Sequence, residues 1–115
     1  MSWNVSLWQG AEVVDVPSHQ EGGIIAIGGN TGADMSVTYN YSGYYYEYLD
    51  SATGLKWLDG RQAKSCIERL ESAVVKLGDK QDEDYWAKTP GNAGHALVVL
   101  LGWAKLYPEA VFQVH

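Results

Sequence analysis

The sequence predicts an α+β fold: a small antiparallel sheet that includes the N- and C-terminal strands, packed with about three helices on one face. Three observations carry this. Residues 3–8 alternate, with Trp3, Val5 and Leu7 set against Asn4, Ser6 and Trp8, the period of a strand with one buried face. Residues 63–77 place Ala63, Cys66, Ile67, Leu70, Ala73, Val74 and Leu77 at helical spacing. Residues 95–106 are apolar on nearly every side of a helix and are followed by Pro108 and a short alternating segment, which reads as a buried spine, a stop and a closing strand. At 115 residues the chain has room for one domain, 1–115, with one core.

The elements follow in order. After the opening strand, Gln9 and Gly10 form a turn, and residues 12–16 read as a second strand stopped by Pro17. Residues 19–23 read as a loop with paired glycines. Residues 23–28 are a short apolar strand bounded by glycine, and 28–32 are loop. The whole stretch 9–34 reads as a hairpin or an excursion from the core. Residues 35–39 are extended and lead into Asn40, a residue suited to an N-cap, and a helix over 41–49. Residues 50–54 end it, and 55–58 form a linker turn with apolar anchors. Asp59 and Gln62 have capping-box spacing, and the periodic helix follows with Gly78 at its C′ position. Its outer face carries Lys64, Glu68, Arg69, Glu71 and Lys76, with Lys64 and Glu68 placed for an i,i+4 pair. Residues 79–84 are an acidic loop running into a helical turn around 84–87. Thr89 and Pro90 have the chemistry of an N-cap and N1, so the last helix covers 91–106. The closing strand covers 111–114 and pairs with the first.

Composition removes several classes of function. The formal charge is −6, and the 8 Lys and Arg form no basic stripe, so nucleic acid is not an expected partner. The last apolar run is shorter than the roughly 18–20 residues of a membrane span, so no membrane partner is expected. The first residues lack a basic, apolar leader, which makes the cytoplasm the expected location. Cys66 is the single cysteine, which leaves no internal disulfide and no thiolate metal site; it sits at an apolar helix position and reads as a small core residue. His19, His95 and His115 have no metal-ligand spacing. Asp79, Asp82 and Asp84 lack the glycine and terminal acid of a calcium loop. Residues 28–32 lack both a following helix and a Gly-Lys-Ser/Thr. No cofactor, no metal and no catalytic residue is expected.

What remains unusual is aromatic: 8 Tyr and 5 Trp against one Phe. Tyr41, Tyr44, Tyr45 and Tyr48 fall on one side of the helix over 41–49, while Tyr46 and Glu47 fall outside it. One side can serve the core, and the rest is too aromatic for plain surface.

Residues 4–7 (Asn-Val-Ser-Leu), 37–42 (Val-Thr-Tyr-Asn-Tyr-Ser) with Tyr44 and Tyr45, and the series Asp84, Tyr85, Trp86, Thr89, Pro90, Gly91, Asn92, Ala93, Gly94, Trp103, Ala104, Pro108, Glu109, Ala110 together resemble a family of small bacterial and phage-associated proteins with no assigned activity. The likeness covers most of the chain outside residues 9–34, with Ser36 where the family pattern has Asn. It implies a single intracellular α+β domain and adds no catalytic residue.

Two functions are therefore weighed. One is a non-enzymatic protein-interaction module of adaptor, inhibitor or immunity type, acting through Tyr41, Tyr44, Tyr45, Tyr46, Glu47 and Tyr48 on a protein partner or a second copy. The other is a small-molecule-binding domain with an aromatic pocket between that helix and Thr38, Asn40, Trp86 and Asn92.

Overall fold

The computed structural model describes residues 2–16, 20, 21, 24–26, 32–84 and 87–115. Its organising strand is β1 (Ser2–Gln9), which is paired along both edges. On one edge lies β6 (Val111–Val114), antiparallel with Val5 opposite Val114 and Leu7 opposite Phe112. The other edge is shared by β2 (Glu12–Val13) and β5 (Asp34–Thr38). The change of partner occurs at Leu7, whose N–H donates to Ala33 (2.9 Å) and whose carbonyl accepts from Val14 (3.0 Å). β5 in turn pairs with β4 (Ile24–Ala26), and β4 with β3 (Gln20–Glu21). The result is a six-stranded antiparallel sheet in which the two terminal strands are neighbours, as the sequence predicts.

The excursion over 9–34 extends this sheet. Gln20 and Glu21, read as part of a loop with paired glycines, pair with Ile25 and Ile24; antiparallel backbone pairing needs no alternation in so short a strand. The strand expected over 12–16 stops after Val13 because Ala33 comes between: it accepts the N–H of Leu7 (2.9 Å) and donates to the carbonyl of Val14 (2.9 Å), and only an isolated bridge from Asp15 to Gly32 follows.

One sheet face is apolar. Trp3, Val5, Leu7, Met35, Val37, Phe112 and Val114 are all buried and meet the helices α1 (Ser42–Tyr48), α2 (Ala63–Leu77) and α3 (Pro90–Leu106). The other face is polar, with Asn4 exposed and Ser36 donating to Ser2 (2.6 Å). Two 3₁₀ segments, Tyr39–Tyr41 and Gly54–Leu58, flank α1.

The start of α2 departs from its predicted cap. Asp59 does not close a capping box with Gln62; its carboxylate accepts the N–H of Val114 (3.0 Å), and Gln62 itself stands at the N-cap without a side-chain cap bond. The reason lies in the segment that leads into β6. The N–H groups of Ala63 and Lys64 donate to the carbonyls of Ala110 (2.7 Å) and Pro108 (2.9 Å), which satisfy the orphan donors of the first turn without a cap. The same segment takes Lys64 away from Glu68: its ammonium pairs with Glu109 at 3.3 Å. Gly60 and Arg61 also hydrogen-bond Phe112 at the outer edge of β6 (2.8 and 3.0 Å), so this edge is covered. α2 ends at Gly78 with φ +76°, as predicted.

α3 begins as the sequence indicates, with Thr89 accepting the N–H of Asn92 (3.2 Å) and Pro90 at N1. It is less enclosed than its all-round apolarity predicts. Ala96, Leu97, Leu100, Leu101, Trp103 and Ala104 are buried, but Gly102 is exposed and Leu106 is 58% exposed. A helix in the outer layer of a two-layer domain keeps one side in water. Among the described residues no helix is long and apolar enough to cross a membrane.

The segment after α2 lies directly on the first turn of α3. A Cβ at Gly94 would run into the carbonyl of Gly78, and one at Gly91 into the carbonyl of Lys80. Two opposed terms decide a substitution there. Alanine in place of glycine favours a helix by about 1 kcal/mol, whereas overpacking against fixed backbone costs about 1–3 kcal/mol or more. Gly94→Ala is expected to lower the unfolding free energy in urea by about 2 kcal/mol. Gly102→Ala, where an added Cβ meets nothing within 4 Å, is expected to raise it by about 0.5–1 kcal/mol. Equal effects of the two substitutions would contradict the close contact.

Candidate functional site

The tyrosine segment is divided by helical geometry. Successive residues are about 100° apart around a helix, so Tyr41 and Tyr45 share one side and Tyr46 leaves it. Tyr41 and Tyr45 are buried (1% and 0% exposed), while Tyr39 and Tyr46 are 40% and 47% exposed. Tyr44 and Tyr48 are half-buried at the margin and Glu47 is exposed. Trp3 from β1 completes the inner stack. Its ring lies 4.7 Å from Tyr39 and 5.9 Å from Tyr45, and Tyr45 lies 6.3 Å from Tyr41, with the tilted and edge-on geometries that aromatic quadrupoles favour.

Polar tips are paired where burial requires it. The Tyr45 hydroxyl donates to the carbonyl of Ala93 in α3 (2.9 Å), and the Tyr44 hydroxyl to that of Lys88 (3.2 Å). Burial holds the Tyr45 phenol well above its ordinary range, with the neighbouring Tyr41 adding to the effect. Burial, then the charge of Asp84, raises Tyr41. At the margin, the charge of Glu47 raises Tyr48.

The remaining expected site residues serve the fold. Thr38 is buried, and its hydroxyl accepts the N–H of Asn40 (3.2 Å). It, and not Asn40, caps the entry into the helical segment, because the helical backbone begins at Tyr39. Asn40 is exposed. Asn92 is 3% exposed, and its amide holds the acidic segment in place: Oδ1 accepts from the N–H of Asp82 (2.9 Å), and Nδ2 donates to the carbonyls of Asp84 (3.1 Å) and Ala87 (3.0 Å). Trp86 lies outside the described residues, as does part of the helical turn expected over 84–87; the N–H of Ala87 donates to Asp84 (3.0 Å), the i→i+3 bond of one turn. The structure therefore joins Tyr41, Tyr44, Tyr45 and Asn92 around the start of α3, and leaves Tyr46 and Glu47 outside.

Tyr46 does not stand alone. Its ring rests on Gly54, where an added Cβ would lie 3.4 Å from three ring carbons. Gly54 opens the 3₁₀ segment in which Leu55 and Leu58 are buried and Trp57 is half-buried. Trp57 follows Gly54 by three residues in the same segment. The Trp57 ring is then met by both arginines of the chain, with the guanidinium carbons of Arg61 and Arg69 each 4.2 Å from its centroid, a cation–π geometry. Arg61 is fixed further by Nε donating to the Trp57 carbonyl (2.6 Å). Arg69 reaches the end of α1, donating to the carbonyl of Leu49 (3.3 Å) and the carboxylate of Asp50 (3.1 Å), where a cation suits both the free carbonyl and the helix dipole. Asp50 is held below the usual carboxylate range, chiefly by the hydroxyl and N–H of Thr53 (2.7 and 2.8 Å). Beside the ring is a depression of ≈ 360 Å³ lined by Trp57, Ser65, Glu68, Arg69 and Ser72.

This corner is not among the residues singled out by periodicity, which treats 55–58 as a linker and Arg69 as ordinary outer face. Trp57, Arg61, Ser65 and Arg69 are spaced by four in the sequence, but residues 59–62 are not helical, with Gly60 at φ +77° and Gln62 extended, so no single helical face carries them.

Among the described residues no group of three or more His, Cys, Asp or Glu is placed to hold a metal. Cys66 is fully buried, and burial pushes its thiol up, which disfavours the thiolate. No protein family, curated protein or solved structure matches the chain.

The buried phenol has a measurable consequence. A tyrosine whose folded pKa is raised contributes stability that is present below the unfolded pKa and is lost as pH rises through the folded one. Tyr45→Phe is expected to cost about 1 kcal/mol at pH 7 through the lost hydrogen bond and to reduce the fall in stability above pH 10. Tyr44→Phe, at the exposed margin, is expected to change stability by less than about 0.5 kcal/mol. Urea titrations at pH 7 and at alkaline pH read both.

Proposed function

We propose that the protein is a non-enzymatic interaction module of adaptor, inhibitor or immunity type, working in the cytoplasm. Its contact surface is the outer side of α1 together with the adjoining corner of Tyr46, Glu47, Trp57, Arg61 and Arg69. The observation that carries this reading is the gathering of Tyr46, 47% exposed and seated on Gly54, with Trp57, which follows in the same 3₁₀ segment and is met by both arginines. Tyr, Trp and Arg are the residue types that dominate binding energy at protein interfaces. Here they are held rigid by a glycine seat and by stacking, which lowers the ordering cost of association. The inner tyrosines support the surface from below, since Tyr41 and Tyr45 fix how α1 is rotated. A small-molecule-binding function is the second reading, and the ≈ 360 Å³ depression beside Trp57 favours it over a pocket at Thr38 and Asn92.

Native mass spectrometry of the gently purified protein and its Tyr46→Ala and Trp57→Ala variants tests the proposal. The wild-type chain is expected to carry a partner or a second copy, and each variant to lose it by about tenfold in apparent affinity, equivalent to about 1.4 kcal/mol. Both variants are expected to keep the wild-type circular dichroism. A complex that survives both substitutions contradicts the surface. A bound mass of small-molecule size, with no protein partner, supports the second reading instead.

A further inference from the structure

We infer that the corner formed by Trp57, Arg61 and Arg69 docks a carboxylate-bearing peptide segment of a protein partner. This rests on the interaction-module reading and gives that surface its chemistry.

Positive charge is concentrated at this corner. The chain has 8 cationic side chains against 14 acidic ones, yet Lys56, Arg61, Lys64 and Arg69 place four of the eight cations within a short stretch. Lys64 is committed to Glu109. Arg61 spends only Nε, on the Trp57 carbonyl, and its two terminal nitrogens have no partner among the described residues. Arg69 spends one terminal nitrogen, on Leu49 and Asp50. The Asp50 carboxylate is occupied in turn, accepting from Ala52, from Thr53 twice and from Arg69. Unspent guanidinium edges, already oriented against a ring, match a carboxylate in a two-pronged geometry with little rotamer entropy left to lose.

The surroundings select a peptide. A nucleic acid presents a run of phosphates, which a chain of net charge −6 repels beyond these two arginines. A peptide with one or two acids needs no more than the two guanidinium groups. Tyr46, 47% exposed and seated on Gly54 at the start of the segment that carries Trp57, adds aromatic area for an adjacent side chain, which a lone small anion would leave unused. Glu68 lines the depression together with Arg69; its carboxylate repels an acid there and can accept a peptide N–H. Arg61 is not among the lining residues, so the acid is placed at the Arg61 edge.

The test uses ¹⁵N-labelled full-length protein at low salt. The indole N–H of Trp57 and the Nε–H signals of Arg61 and Arg69, assigned through Trp57→Phe, Arg61→Lys and Arg69→Lys, are followed against three probes. These are a short, blocked synthetic peptide with two Glu flanked by Tyr, the same peptide with Gln for Glu, and inorganic phosphate. Saturable shifts of the three signals are expected with the Glu peptide, about tenfold weaker binding with the Gln peptide, and loss of binding on raising salt to about 300 mM. Arg61→Gln is expected to weaken the Glu peptide about tenfold while the protein stays folded, with the far-ultraviolet circular dichroism of the wild type. Equal binding of the Gln peptide, phosphate shifts matching those of the Glu peptide, or no shift at all would each overturn the inference. If the Glu peptide fails while Tyr46→Ala and Trp57→Ala still dissolve the native complex, the interaction surface stands and only its acidic chemistry falls.

Discussion

A phenol with no exposure to water must find a hydrogen-bond acceptor inside the protein, and Tyr45 has one place to find it, the Ala93 carbonyl at the start of α3. An unpaired hydroxyl there would cost about 1–3 kcal/mol. This pairing, with Tyr41 stacked one turn earlier and Trp3 against the ring, fixes the rotation of α1 about its axis. The rest of the surface follows from that rotation. Tyr46, one residue on, must point away from the core and settle on Gly54. The C-terminal end of α1 is delivered to Arg69, and Arg69 is thereby placed against Trp57. The buried and exposed halves of the tyrosine run are one geometric decision.

The second constraint is the fit between the acidic segment and α3. Gly91 and Gly94 let the backbone of residues 78–80 lie on the helix, and the Asn92 amide then uses its acceptor and both donors on residues 82–87. The Gly-Asn-Ala-Gly sequence is thus a seat for a crossing chain, and Ala93 within it offers its carbonyl to Tyr45. The two constraints meet in a single helical turn, which holds α1, α3 and the segment leaving α2 in fixed relation.

The parts of this arrangement that depend on local pattern were legible in the sequence. The period of α2, the Thr-Pro start of α3 and the alternation of β1 and β6 each follow from spacing within one element. The parts that depend on partners distant in the chain were not. Asp59 looks like a cap until Val114 arrives, and Lys64 looks like the partner of Glu68 until Glu109 does; in each case a tertiary neighbour displaces a local interaction, a cap worth about 1 kcal/mol and an ion pair worth a few tenths. Asn92 reads as a ligand contact because nothing nearby in sequence shows that a loop will need its amide. The corner at Trp57 was hidden for a different reason: its residues come from a 3₁₀ turn, a non-helical link and α2, so no single helix period joins them. The split of the tyrosines into inner and outer sets was visible from the start, since Tyr46 and Glu47 fall off the shared face by position alone.

The rotation of α1 is the claim on which the surface rests, and tyrosine nitration read by fragment mass spectrometry measures it most directly. Tetranitromethane attacks accessible, ionised phenols. Tyr46 and Tyr39 are expected to react first, Tyr44 and Tyr48 more slowly, and Tyr41 and Tyr45 only when the protein unfolds. Modification of Tyr45 at the rate of Tyr46 under native conditions would show that α1 is not held in this orientation.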